Sequence, residues 1–254
     1  MGYFMRTMRA NSFMIIRKSN NINMPPQGRK RASRENDTPE DVKKNNERYA
    51  KQHLEAMVDL NFTIGDFWID MHYGKDDRPA TYEDAEARLT RFIRKLRAEW
   101  KRAGGELKYI ATTECGERGG YHHHILLNAG IVSAERVMMI WGMRYCSNKL
   151  VYSEDLSTLA DYIFKQSTIE AREERGREHK KRWRASKNLR KPEVEKEIVK
   201  AHTWRQIPQP PKGYYLDEDS IQRGTDWLGF PWMEYKLIKI QTPTKTKKRR
   251  GMIL

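Results

Sequence analysis

Apolar and polar residues alternate along a short stretch near residue 70, and this alternation predicts a β-strand. The stretch is "GDFWIDMHY", residues 65–73. One face carries Phe67, Ile69, Met71 and Tyr73, and the other carries Asp66, Trp68, Asp70 and His72. Such a pattern is typical of a strand that packs one face on a core and leaves the other open.

Helical periodicity replaces alternation over residues 80–102, where the apolar positions form one stripe and Gly104-Gly105 follows as a stop signal. Two strand-like runs come next, "ELKYIATTE" and "YHHHILLN", and the glycine-bearing link between them predicts a hairpin. The same reasoning predicts helices over 42–59 and 133–141, a short strand over 149–152, and a further helix after Ser153.

Changes in composition along the chain divide it into four predicted segments. Residues 1–41 are predicted to be a flexible basic arm, since residues 17–40 are polar, basic and rich in Asn and Pro. Residues 42–168 hold the predicted helices and strands and form the core. Residues 169–240 are predicted to be a charged extension with a Pro-rich break and late strands that pack on the core. Residues 241–254 form a basic tail.

The composition favours a nucleic-acid partner. Of the 254 residues, 49 are Lys or Arg and 34 are Asp or Glu, which gives a net charge of +15. Basic side chains on phosphates release condensed counterions, and the seven Trp and twelve Tyr offer rings on which bases can stack. The alternatives are a basic protein that is merely soluble and one that is attracted to anionic lipid.

The cysteines and the hydropathy favour a reducing compartment. Cys115 and Cys146 form no C-x-x-C motif, so the sequence offers neither a disulfide framework nor a four-thiolate zinc site. No apolar run approaches the ~20 residues of a transmembrane helix. The N-terminal residues lack the continuous apolar stretch of a signal peptide. We therefore expect a cytoplasmic protein.

Three consecutive histidines open the second strand of the hairpin. His122 and His124 share one face of that strand, about 7 Å apart, while His123 points to the other face. Glu114, at the end of the preceding strand, can add a carboxylate across the hairpin. Two imidazoles and a carboxylate suit a metal ion. The alternatives are an ordinary pair of surface histidines and a slipped register in which His123 is a ligand.

The helix after Ser153, "EDLSTLADYIFKQ", carries a second feature. Tyr162 lies about 60° outside its apolar stripe and Lys165 about 60° further round, so the phenol can reach a cleft beside a cation. A phenol has a pKa of about 10 and is a poor nucleophile at neutral pH unless a cation or a metal favours the phenolate. In isolation, a Tyr and a Lys three residues apart are ordinary helix surface.

Together, "GGYHHHILLN" and "LADYIFKQ" resemble the motifs of the HUH endonucleases, most closely the single-tyrosine rolling-circle replication initiators of small phages and plasmids. The stretches "MIWGMRY" and "RWRASKNLRKPE" are also similar to these initiators, and the resemblance covers roughly residues 60–195. It implies an α+β fold with an RRM-like or ferredoxin-like central antiparallel sheet. Helices would lie on one face, and the other face would be open for DNA.

The resemblance implies an enzyme that nicks and joins single-stranded DNA at a replication origin in the cytoplasm of a bacterial host. Tyr162 would form a 5′-phosphotyrosine link and leave a free 3′-hydroxyl, with Lys165 assisting. His122, His124 and Glu114 would hold Mg²⁺ or Mn²⁺. On ligand softness alone, two imidazoles suit Zn²⁺ or Mn²⁺ better than Mg²⁺, so the metal stays open.

The candidate DNA contacts are Trp68 on the open face and, further along, Arg182, Arg184, Lys187 and Arg190. The sequence has no G-x-x-x-x-G-K-[ST] motif, so we expect a helicase to act in trans. A relaxase or transposase would share this chemistry. Two further classes of protein fit the same residues, namely a non-catalytic RRM-like nucleic-acid-binding protein and a hydrolytic nuclease that cuts with water.

Overall fold

The computed structural model describes residues 2–20, 38–116, 120–142, 145–152, 156–165, 183–226 and 229–240. The strands are β1 (Tyr3–Arg9), β2 (Phe13–Asn20), β3 (Phe67–Met71), β4 (Tyr109–Cys115), β5 (Tyr121–Leu127), β6 (Cys146–Leu150), β7 (Arg184–Ala185), β8 (Glu193–Val199), β9 (Tyr214–Thr225) and β10 (Pro231–Lys239). The helices are α1 (Pro39–Asn61), α2 (Tyr82–Arg102), α3 (Ala134–Trp141) and α4 (Ser157–Lys165). The chain forms two compact units, residues 1–39 with 193–254, and residues 40–192.

The unit of residues 40–192 is built on an antiparallel sheet in the order β6-β3-β5-β4-β7. Helix α2 connects β3 to β4, and α3 connects β5 to β6. This succession is the β-α-β-β-α-β arrangement of ferredoxin-like folds. The prediction of an α+β fold around an antiparallel sheet is therefore confirmed.

Helix α2 packs its predicted apolar stripe against one face of this sheet. The Thr81 side chain caps the helix by accepting a hydrogen bond from the Asp84 N–H, and Glu83 and Asp84 complement the positive end of the helix dipole. Its buried residues are Ala85, Leu89, Phe92, Ile93, Leu96 and Trp100. They meet the β3 residues Phe67, Ile69 and Met71, the face that alternation predicted to be buried.

The opposite face of the sheet is covered over part of its length, although it was predicted to be open. Trp68, Ile110 and Leu126 lie on this face and are buried in a second apolar cluster. The residues that cover them come from α1 (Leu54, Met57 and Val58) and from α4 (Ala160 and Ile163). The strands carry apolar side chains on both faces here, so each face needs a covering layer.

The second unit is an antiparallel sheet in the order β8-β1-β2-β10-β9. Its core contains Met14, Ile16, Met233, Tyr235 and Leu237. Residues 3–20 were predicted to belong to a flexible arm, and that prediction is wrong, because they form β1 and β2 and bury apolar side chains. The late strands were predicted within residues 225–240, where β10 forms and pairs with β2 and β9, whereas β8 and most of β9 lie where no strand was predicted.

The predicted segment boundaries also change. The unit expected over residues 42–168 extends to residue 192, because β7 pairs with β4 and Leu189 joins the second apolar cluster. Residues 21–37 of the predicted arm, 166–168 of the predicted core, 169–182 of the charged extension and the tail from 241 lie outside the described residues. None of the helices in the described parts of the chain combines the length and apolar character needed to cross a membrane.

Candidate active site

The hairpin of β4 and β5 brings a carboxylate and two imidazoles together. Glu114 lies directly opposite His122 in the strand register. Its Oε2 atom is 3.2 Å from the Nε2 atoms of both His122 and His124. One ligand atom from each residue lies within 4.8 Å of the others, a convergence that can hold a metal ion. These three residues form the His–Glu cluster, and they are the three predicted metal ligands.

Asp70 fixes the ring of His124 from the neighbouring strand. Asp70 on β3 is the register partner of His124, and the Nδ1–H group of His124 donates to Asp70 Oδ1 over 2.6 Å. This bond leaves Nε2 of His124 facing Glu114. A histidine that binds a metal through one nitrogen commonly donates its other N–H to a carboxylate. The donor set and its support therefore fit a divalent cation.

The electrostatics of the cluster favour ionised carboxylates. Burial alone would raise the pKa of Glu114, but hydrogen bonds from His122 and His124 outweigh burial and lower it to about 2. Burial likewise opposes ionisation of Asp70, and its contacts with His124 and Lys149 lower the Asp70 pKa below its ordinary value. Burial also lowers the pKa of His124, but Asp70 and Glu114 raise it above its ordinary value.

Tyr162 is positioned by α4 at the edge of the His–Glu cluster. Its hydroxyl oxygen is 3.4 Å from His124 Nε2. Its ring meets Trp68 and His124 edge-on, with centroid distances of 5.6 and 5.2 Å, yet the residue is 41% exposed. Lys165 is exposed on the last turn of α4, three residues further along. The structure thus brings Tyr162 to the predicted ligands and leaves Lys165 at the surface.

A cavity of about 420 Å³ opens beside Tyr162. Its walls include Trp68, Leu156 and Tyr152, and the last of these is 89% exposed. Lys149 also lines it, and its ammonium lies 3.6 Å from Asp70 Oδ2. The cavity is mostly apolar, and its one cation is paired with the Asp70 carboxylate, which also lines it, so it suits a planar group such as a base.

His123 occupies the other face of β5 and is not part of the His–Glu cluster. Its ring is buried, Nε2 accepts a hydrogen bond from the Tyr73 hydroxyl over 2.6 Å, and Nδ1–H donates to Thr113 Oγ1 over 2.8 Å. The Thr113 hydroxyl in turn donates to Glu86. Burial, and then the nearby cationic groups, lower the pKa of His123 to about 3. Both ring nitrogens are occupied, so His123 offers the His–Glu cluster no ligand atom in this arrangement.

The predicted DNA contacts differ in their exposure and in the partners that hold them. Trp68 is only 8% exposed and stacks on His124 with the ring planes 10° apart, so it forms the wall behind that histidine rather than an open surface for a base. Arg184 is held by α2, since its Nη1 atom donates to Thr90 and pairs with Glu86. Lys187 and Arg190 are exposed. Arg182 lies outside the described residues.

Three residues of the site were not among the predicted ones. Asp70 was placed on the correct face by the alternation of β3, and this signal was sufficient to propose it as a partner of His124. His72, two residues further, stacks on His122 at 5.0 Å. Lys149 had no local signal, because it approaches Asp70 only when β6 pairs with the outer edge of β3.

The fold and the site define an α+β protein with a candidate divalent-metal site within reach of a tyrosine hydroxyl. A family model described as "Replication-associated protein ORF2/G2P" matches residues 66–170, less than half of the chain. The match contains the whole His–Glu cluster and Tyr162, and it supports a family of replication-associated proteins. No curated protein and no solved structure matches the chain.

Proposed function

We propose that this chain is a rolling-circle replication initiator, which nicks and rejoins single-stranded DNA at a replication origin through a covalent link to Tyr162. The observation that carries the proposal is the distance of 3.4 Å between the Tyr162 hydroxyl and His124 Nε2. It places a nucleophile at the edge of a cluster that suits a cation. The family match to replication-associated proteins makes DNA the expected partner.

The reaction is a transesterification. The Tyr162 oxygen attacks the scissile phosphorus, a bond forms between that oxygen and phosphorus, and the bond from phosphorus to the 3′-oxygen breaks. The phenol loses a proton and the departing 3′-oxygen gains one, so the step consumes no water. The DNA keeps a free 3′-hydroxyl that a polymerase can extend, while the 5′-phosphate stays on Tyr162. Reversal of the step rejoins the strand.

Glu114, His122 and His124 are the residues that would hold Mg²⁺ or Mn²⁺. When bound, such an ion supplies a Lewis acid that polarises the scissile phosphate. Asp70 keeps His124 in the tautomer and orientation that leave Nε2 available. Trp68 supports the same ring from behind and, with His124, keeps the Tyr162 ring in place.

Two lysines are placed to neutralise phosphate charge. Lys149 lines the cavity beside Tyr162, and a nucleotide next to the scissile bond would occupy that cavity. Lys165 lies one turn from Tyr162 on α4 and is exposed, so it can contact the DNA backbone from outside. Unwinding of the duplex falls to a helicase in trans, which the missing P-loop motif suggests.

The test is a covalent-adduct assay on a denaturing gel. End-labelled single-stranded DNA that carries the candidate origin is incubated with the protein and Mn²⁺ or Mg²⁺, and a labelled band that survives SDS is sought. The adduct is expected with the wild type and is expected to disappear in Tyr162→Phe and in EDTA. Tyr152→Phe is the matched control, because Tyr152 lines the same cavity at the surface. It is expected to keep the adduct.

The assay also separates the competing functions. Cleavage without an adduct that persists in Tyr162→Phe would identify a hydrolytic nuclease and overturn the proposal. Intact DNA binding without cleavage on any candidate origin would favour the non-catalytic binding protein. An adduct that Tyr152→Phe abolishes and Tyr162→Phe retains would show that Tyr152, and not Tyr162, is the nucleophile.

A further inference from the structure

A second cavity is lined in part by His72, whose ring stacks on His122 of the His–Glu cluster. It has a volume of about 470 Å³ and is bounded by the chain after β3, by α2, by the end of α3 and by the residue before β6. His72, Tyr73, Trp141 and Tyr145 contribute rings to it, and α2 contributes a row of basic side chains. We call it the basic cavity.

The basic cavity carries a net positive charge. Arg88 is already engaged, since its guanidinium pairs with Asp77 at 2.9 Å and with Asp84 at 3.2 Å. Arg91, Arg94 and Lys95 are exposed in its wall, and within the described parts of the chain no carboxylate pairs with any of the three. Three unmatched cations on one side of a cavity favour an anionic occupant, above all a phosphate.

The aromatic side of the basic cavity presents a ring for stacking. Tyr145 is 41% exposed, and its ring lies against Gly74, where an added Cβ would come within 2.8 Å of the ring. The Trp141 indole N–H donates to the His72 carbonyl over 3.0 Å and fixes the neighbouring wall. An exposed ring beside unpaired cations is the combination that binds single-stranded nucleic acid, with bases on the ring and phosphates on the cations.

His72 connects the basic cavity to the candidate active site. Its ring stacks on that of His122 at 5.0 Å with the planes 17° apart, and it also lines the cavity. His72 therefore borders both the candidate active site and the basic cavity.

We propose that the basic cavity binds the nucleotides that flank the scissile phosphate, with backbone phosphate on Arg91, Arg94 and Lys95 and a base on Tyr145. This inference rests on the proposed function, because it takes the His–Glu cluster as the position of the scissile phosphate. It gives α2 a role in holding substrate in addition to its role in covering the sheet.

The first test measures DNA affinity against salt in a Tyr162→Phe background, where no cleavage occurs. Arg91→Gln/Lys95→Gln removes two cations of the cavity, and Lys43→Gln/Lys101→Gln removes the same charge elsewhere on the unit. With a fluorescent single-stranded origin oligonucleotide, the cavity variant is expected to bind roughly tenfold more weakly and to lower the slope of log affinity against log salt by about 1.4. Equal binding by the two variants would overturn the proposal.

The second test locates the base. A 2-aminopurine is placed at successive positions on either side of the scissile phosphate, and its fluorescence is expected to be quenched on binding at one short run of positions on one side. Tyr145→Ala is expected to abolish that quenching and to weaken binding roughly tenfold, whereas Tyr145→Phe retains both. Quenching that Tyr145→Ala leaves unchanged would overturn the assignment of the base to Tyr145.

The experiments distinguish failure of DNA binding by the basic cavity from failure of the proposed nicking reaction. If the wild type forms an adduct and Arg91→Gln/Lys95→Gln forms it with the same KM and kcat as Lys43→Gln/Lys101→Gln, the cavity does not hold substrate and the proposed function stands. If the wild type forms no adduct on any origin while the cavity variant still loses affinity, the cavity binds DNA and the proposed chemistry is wrong.

Discussion

The side chains of Asp70 and His124 share a hydrogen bond of 2.6 Å across the β3–β5 pair. Asp70 is mostly buried, and the bond occupies the one nitrogen of His124 that faces away from Glu114. Because ring orientation and tautomer are set together by this contact, Asp70 controls which atom His124 offers to a cation. A change at Asp70 should therefore alter metal binding through His124.

Asp70→Asn is expected to weaken Mn²⁺ binding by about 10- to 100-fold, because the ring of His124 loses its anionic partner. Calorimetric titration of the purified protein with Mn²⁺ measures the effect. Asp76→Asn, at an exposed position outside the site, is the matched control and should leave the affinity unchanged. Equal affinities for the two variants would mean that Asp70 has no part in holding the metal ligand.

Metal affinity is expected to fall as the pH is lowered through the His124 pKa. Asp70 and Glu114 raise that pKa above its ordinary value of 6.5, so protonation removes the Nε2 lone pair at a higher pH than for a free histidine. The loss should approach about tenfold per pH unit for each proton displaced. In Asp70→Asn, where the largest contribution that raises the pKa is gone, the midpoint should move to lower pH. A midpoint that stays in place would contradict the assigned cause.

His123→Leu is expected to destabilise the fold by about 1–3 kcal/mol at pH 7, because Tyr73 and Thr113 lose a buried hydrogen-bond partner. Urea unfolding measures this change. His202→Leu is the control, since His202 is exposed and its replacement should change the free energy of unfolding by less than about 0.5 kcal/mol.

The same variant tests the depressed pKa of His123. Between pH 6.5 and 3 the unfolded chain binds a proton on His123 that the folded chain, with a pKa of about 3, does not bind. The wild type therefore loses stability as the pH falls, by up to about 1.4 kcal/mol per pH unit from this group, and His123→Leu lacks this contribution. The stability gap between the two proteins should shrink on acidification, and a constant gap would show that His123 titrates normally.

Trp68→Ala is expected to lower the free energy of unfolding by about 3–5 kcal/mol, because it empties a large part of the second apolar cluster. Trp68→Phe should keep most of that stability and change the affinity for single-stranded DNA only slightly, since Trp68 lines the cavity beside Tyr162 but is only 8% exposed. It should slow adduct formation, because His124 and Tyr162 both rest on the indole. Clearly weaker DNA binding by folded Trp68→Phe would instead mean that Trp68 contacts DNA directly, as the sequence predicted.

Local periodicity accounts for what the sequence predicted well. The alternation in β3 and β5 is a property of neighbouring residues, and it was enough to put Asp70, His122 and His124 on one face and His123 on the other. The apolar stripe of α2 and the hairpin of β4 and β5 were likewise predicted from residues that are close together in the sequence. For that reason the candidate ligands could be chosen before the fold was known.

Pairing between distant segments accounts for what the sequence did not predict. β1 pairs with β8, about 190 residues further along the chain, and nothing in the local pattern of β1 indicates that partner. Trp68 was expected to be exposed because the strand pattern does not reveal that α1 and α4 cover its face. Arg184 was expected to be free for the same reason, since its partner Glu86 lies on a helix about a hundred residues earlier.

The strict alternation of His122, His123 and His124 limits how this protein can change over evolutionary time. Removal of one residue of β5 after His124, with the rest of the strand still paired, would turn each of these histidines to the opposite face, placing the cluster's imidazoles in the core and breaking the bonds to Tyr73 and Thr113. Length changes in the turn between Cys115 and Tyr121 leave the alternation intact. Insertions and deletions in this hairpin should therefore be inherited only in the turn, while β5 changes by substitution alone.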